Sequence, residues 1–95
     1  MNTINDIPLD RLLGALDVTM EDLRSPVRTR PLSDARAMVA AIFRKHYRIS
    51  QVEVAGLLGT SQVAVCKMLK RHQQLLQDPT YRNKFNQVKI SMSNL

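Results

Sequence analysis

Ninety-five residues with 14 Lys and Arg against 8 Asp and Glu, a net charge of +6, have room for a single domain (1–95) with one modest core and none for a second functional unit. One cysteine, Cys66, excludes an internal disulfide, and with only His46 and His72 beside it no zinc-ligand spacing exists, so neither metal nor other cofactor is expected. No uncharged apolar run approaches the ~18 residues of a membrane span and the first twenty residues lack a signal-peptide pattern, which predicts a cytoplasmic chain without a membrane partner.

The charge is uneven. Residues 1–23 carry Arg11 against Asp6, Asp10, Asp17, Glu21 and Asp22, whereas residues 24–95 carry thirteen basic residues against Asp34, Glu53 and Asp78. Most of the chain therefore attracts a polyanion.

Leu9, Leu12, Leu13 and Leu16 recur at i, i+3, i+4 and i+7, with Asp6 as candidate N-cap and Pro8 in the first turn. This predicts a short amphipathic helix, weakened by Gly14. Thr19 followed by Asp22 reads as a capping box for one further turn ending at Leu23 or Arg24, which completes a leading helical segment over 1–24. Ser25-Pro26-Val27-Arg28-Thr29-Arg30-Pro31 then predicts a basic loop over 25–31.

Leu32 or Ser33 opens the longest helix, and the helical core runs over 32–95. Ala35, Met38, Val39, Ile42, Phe43 and His46 form an unbroken apolar stripe on that helix, expected to be the spine of the core. Ser50 with Glu53 is a second capping box, starting a helix near Gln51 that closes at Gly59. Thr60 or Ser61 caps the next helix, which runs to about Leu76. Asp78-Pro79 starts a last one with Tyr81, Phe85, Val88 and Met92 on one side. No segment alternates with period two. The fold class expected is all-α, a small helical bundle.

Within residues 51–65, Ala55 is small enough for two helices to cross, Gly59 supplies the positive φ that ends the first, and Val65 plugs the shared core from the second. This is the spacing of a helix-turn-helix, over about 51–72. At about 100° per residue, Val65, Met68, Leu69 and His72 share an arc to be buried against Ala55 and the long helix. Val63, Lys67 and Lys70 lie opposite, with Thr60, Ser61 and Gln62 at the leading end. Such a helix N-terminus enters the major groove of double-stranded DNA first. Gln62 can pair with adenine N6 and N7, Val63 and Ala64 can touch a thymine methyl, and Lys67 can reach guanine O6 or N7. Lys70 and Arg71 extend the cationic set.

Arg28 and Arg30 in the proline-bounded loop suit either the narrow minor groove of A·T-rich DNA or the phosphates. Arg36, just after the loop, is the leading phosphate holder among the remaining arginines; Arg44 and Lys45 read as solvated. Cys66 reads as a small side chain beside the core or the DNA, and His46 and His72 as packed, hydrogen-bonded histidines. No Ser/His/Asp arrangement has motif support, so enzyme function is not expected.

In the order of its elements the chain resembles the C-terminal DNA-binding domain of the bacterial replication initiator DnaA, a helical relative of the Trp repressor, over nearly all 95 residues. The likeness is carried by Thr3-Ile4-Asn5-Asp6-Ile7 through Asp22-Leu23, Arg28-Thr29-Arg30 at the basic loop, and Ala35-Arg36-Ala37-Met38 where the long helix opens. Ser50-Gln51-Val52-Glu53-Val54 with Leu58-Gly59, and Asp78-Pro79-Thr80-Tyr81-Arg82, carry the rest. The resemblance implies the fold, a recognition helix in the major groove, a basic loop on the backbone or minor groove, and Arg36 on a phosphate.

The family's reading run, Arg-Asp-His-Thr-Thr-Val, stands here as Thr60, Ser61, Gln62, Val63, Ala64 and Val65 with the turn one residue shorter. There is also no Gly-rich phosphate loop for an ATPase. The expectation is a nucleoid-associated DNA-binding protein in replication or transcription control with an altered target. The alternative is an adaptor or inhibitor that keeps the fold and docks on a replication or transcription protein.

Overall fold

The computed structural model of the chain describes residues 8–25 and 29–93, and among them every regular element is helical and none is a strand. The helices are α1 (Leu9–Leu16), α2 (Met20–Arg24), α3 (Arg30–Ala41), α4 (Gln51–Leu57), α5 (Gln62–Leu75) and α6 (Pro79–Ser93), and α3 continues into a π-helical turn over Ile42–His46. The small all-α bundle read from periodicity is what forms.

Helix α1 buries Leu12 completely and leaves Leu9, Leu13 and Leu16 half-buried against the same core. Pro8 precedes it, and Asp6, the expected cap, lies outside the described residues. The Thr19 capping box is complete: the Asp22 amide donates to the Thr19 hydroxyl and the Thr19 amide to the Asp22 carboxylate, each at 3.0 Å. With Leu23 buried, those two bonds hold a five-residue helix that propensity alone would not sustain.

Helix α3 opens at Arg30, earlier than the expected Leu32 or Ser33, so the 25–31 loop is shorter than read. Pro31 is the reason. In the first turn its missing N–H has no helical partner to lose, and its fixed φ is already helical, so a proline read as a loop marker becomes part of the helix start. Beyond it, every residue from Ala35 to Phe43 is buried, including Ala37, Ala40 and Ala41 outside the expected stripe. Alanines all round let α5 and α2 approach this helix closely, while α4 packs on α5 and the π turn and α6 packs on α1.

His46 is corrected: it is exposed, with an edge contact to Phe85 at 6.4 Å between ring centres. The π turn carries more residues per turn than an α-helix, so a stripe extrapolated at α spacing rotates off the core by position 46. Arg44 is not simply solvated either. Its Nη1 donates to the Ile49 carbonyl at 3.0 Å, tying down the chain that leaves this turn.

Helix α4 starts on a half-made box. The Glu53 amide donates to the Ser50 hydroxyl at 3.2 Å, while the Glu53 carboxylate accepts from that hydroxyl at 3.5 Å. It ends as expected: Gly59 has φ +62°, its amide donates to the Gly56 carbonyl and the Thr60 amide to the Ala55 carbonyl, the paired bonds of a Schellman ending. Ser61 then caps α5 by accepting from the Ala64 amide at 3.1 Å, and the two helices meet at 97° with Ala55 and Val65 buried between them. In α6 the Asp78 carboxylate accepts from the Thr80 amide at 2.9 Å, and Tyr81, Phe85, Val88 and Met92 are all buried. No single helix among the described residues is long and apolar enough to cross a membrane.

Candidate nucleic-acid interface

The α4–α5 junction sets what α5 presents. With Val65 and His72 fully buried and Met68 and Leu69 half-buried, the arc assigned to the core does face it. Ser61, Gln62, Val63, Lys67, Lys70 and Arg71 are exposed on the remaining surface, Thr60 and Ala64 are half-exposed at the turn, and Val63 leaves 67% of its surface open. No acidic residue occurs between Gln62 and Leu75. That face can therefore offer amide, methyl and ammonium groups to a polyanion without a carboxylate of its own helix opposing them.

Arg36 departs from its expected role as a phosphate holder. It is 9% exposed, and its Nε donates to the Leu23 carbonyl at 2.8 Å while Nη2 donates to the carbonyls of Ser25 at 2.7 Å and Asp22 at 3.3 Å. These carbonyls lie at the C-terminal end of α2, where that of Asp22 also accepts from the Ser25 amide and hydroxyl. A guanidinium fork suits several carbonyls at once, so this arginine fastens α2 to α3. Its position between Ala35 and Ala37, both buried, is the signal that could have assigned it inward.

Arg71 is exposed but paired, its Nη2 2.9 Å from the Asp34 carboxylate, so part of its charge serves the α3–α5 contact. Arg28 and the side chain of Arg30 lie outside the described residues; the backbone of Arg30 opens α3. Cys66 is half-buried.

His72 is the packed, hydrogen-bonded histidine expected. Burial first, then the charges of Lys45 and Lys89, lower its pKa to about 4, and Nδ1 lies 2.7 Å from the Tyr81 hydroxyl. Burial likewise pushes the Tyr81 hydroxyl well above its usual range, so both groups are neutral at physiological pH. His46 is lowered by partial burial and by Lys89 and Lys45. Among the described residues no group of three His, Cys, Asp or Glu side chains could hold a metal ion.

Sequence reasoning missed Arg24. This last residue of α2 reaches the α4–α5 turn, where its Nη2 donates to the Gly56 carbonyl at 3.3 Å, and it edges an open cleft of about 510 Å³ between the end of α2 and the first turns of α5. Leu23, Leu58 and Met68 supply the apolar part of the cleft wall and Arg24, Ser61 and Lys67 part of its polar edge. No protein-family model, no curated protein and no solved structure matches the chain.

Proposed function

We propose that this chain binds double-stranded DNA through a helix-turn-helix formed by α4 and α5, with α5 in the major groove. The observation that carries the reading is the 97° junction with Gly59 at its turn, which buries Val65 and projects Ser61, Gln62, Val63 and Lys67 from the leading end of an acid-free helix. Angles of about 90–120° across a short glycine-containing turn are the geometry of that motif, and its second helix is the one that enters the groove. The resemblance to the DnaA C-terminal domain supports the same docking and a place in replication or transcription control. Gln62, Val63, Ala64 and Lys67 are the base-edge readers, Thr60, Ser61, Lys70 and Arg71 flank them, and Arg28 and Arg30 lie on the adjacent backbone or minor groove.

Titration of random duplex DNA at several salt concentrations tests the reading. The expected log-log slope corresponds to roughly 4 to 7 phosphates. A slope near zero overturns it and leaves the adaptor reading, in which the fold docks on a replication or transcription protein.

A further inference from the structure

The second groove contact creates a geometric demand. Every major groove is separated from the neighbouring minor groove by one sugar-phosphate strand, so a protein with α5 in one and the loop after α2 in the other must let that strand pass between them. Between the end of α2 and the first turns of α5 lies the cleft edged by Arg24, Ser25, Ser61 and Lys67.

Four cations surround it, and two are engaged elsewhere: Arg36 holds the carbonyls of α2, and Arg71 is paired with Asp34. Arg24 and Lys67 have no ion-pair partner among the described residues, and no carboxylate lines the cleft. The Arg24 stem lies over the turn, where a Cβ on Gly59 would stand 3.7 Å from its Cβ, Cγ and Nε, so the guanidinium is carried on a supported arm. The Ser61 hydroxyl accepts from the Ala64 amide and keeps its own proton to donate.

We infer that this cleft seats a backbone phosphate of the strand dividing the two grooves, with Arg24 as the principal clamp and Lys67 and the Ser61 hydroxyl completing the seat. The inference rests on the DNA-binding reading. It adds a site that couples the end of α2 to the recognition helix: one phosphate held from both helices fixes the register of each on the duplex.

The test uses the full chain and a duplex selected from a random pool, with single neutral methylphosphonates scanned through both strands. In the wild type, neutralising one or two adjacent phosphates between the grooves lowers affinity about tenfold, as expected for a charge-assisted contact. Arg24→Gln keeps the Cβ and Cγ that lie over the turn but, being shorter and uncharged, removes the guanidinium together with its bond to the Gly56 carbonyl. It binds the natural duplex about tenfold more weakly, with a salt slope shallower by about 1, and no longer responds to those methylphosphonates.

Arg24→Gln with wild-type affinity and an unchanged methylphosphonate profile overturns the seat and leaves DNA binding standing; absence of wild-type binding overturns both. Circular dichroism melts accompany each variant. Should Arg24→Gln not fold, Arg24→Lys and the wild-type scan decide: a scan in which no phosphate between the grooves matters overturns the seat.

Discussion

Nδ1 of His72 and the hydroxyl of Tyr81 stand 2.7 Å apart in the core, joining the far half of α5 to the first turn of α6. The histidine ring also meets Phe85 edge-on at 4.7 Å, so the helix proposed to carry base recognition is held from behind by two residues of the last helix. Because the pair is buried, Tyr81→Phe leaves the imidazole nitrogen without its partner. We expect a loss of about 1–3 kcal/mol in urea unfolding, and an unchanged midpoint would show that water replaces the hydroxyl.

The same pair makes stability depend on pH. The folded pKa of His72 is about 4 against an ordinary 6.5, so the unfolded chain binds the proton more readily. Stability is therefore fully present above about 6.5 and falls as pH drops towards 4, by up to roughly 3 kcal/mol from this group. His46, also lowered, adds in the same direction. Urea midpoints compared at pH 7 and pH 5 should fall in the wild type and fall much less in His72→Gln, which keeps a hydrogen-bonding group but does not titrate. Equal pH dependence in both proteins would remove His72 as the cause.

Arg36→Met should destabilise by about 2–4 kcal/mol, since the three carbonyls at the end of α2 lose their charged donor while the aliphatic stem stays. If the arginine acts only as a fastener, the salt slope for DNA is unchanged at temperatures where the variant is folded. A slope shallower by about 1 without loss of stability would restore Arg36 to the phosphate contacts.

Glycine substitutions should differ in sign. Gly59→Ala forces a side chain into φ +62° and should cost about 1 kcal/mol, with the nearest atoms at ordinary contact distance, so the strain is in the backbone. Gly14→Ala, in a helix with open space around the new methyl, should gain about 0.5–1 kcal/mol. Thermal melts of the two variants check both signs.

The target should differ from the initiator's own box. Gln62 presents an amide, and Val63 and Ala64 only methyl groups, where the family's run has His-Thr-Thr, and a mismatched base pair costs about 1–3 kcal/mol. Competition between box and scrambled duplex should therefore give little preference. A preference above about a hundredfold, roughly 2.7 kcal/mol, would show that the readers lie elsewhere.

Local chemistry was legible at most helix ends. The Thr19 box, the Ser61 cap, the Gly59 ending and the Tyr81-Phe85-Val88-Met92 stripe depend on groups within a few residues or on a constant 3.6 period and form as read, whereas Ser50 caps α4 with only half of the expected box. Reading failed where a local signal had two outcomes, as at Pro31, which can end a loop or begin a helix. It failed again at His46, where the period itself changes in the π turn.

The sequence by itself therefore determined the all-helical class, the positions of most helices and the face of α5 turned from the core, because propensity, capping and amphipathic spacing act over a few residues. Tertiary structure alone decided which cations are free. Arg36 meets carbonyls 11 to 14 positions away, Arg71 meets Asp34 37 positions away, and Arg24 reaches Gly56 across 32. A basic side chain's partner is set by which helix ends are packed against it, and no local pattern encodes that meeting.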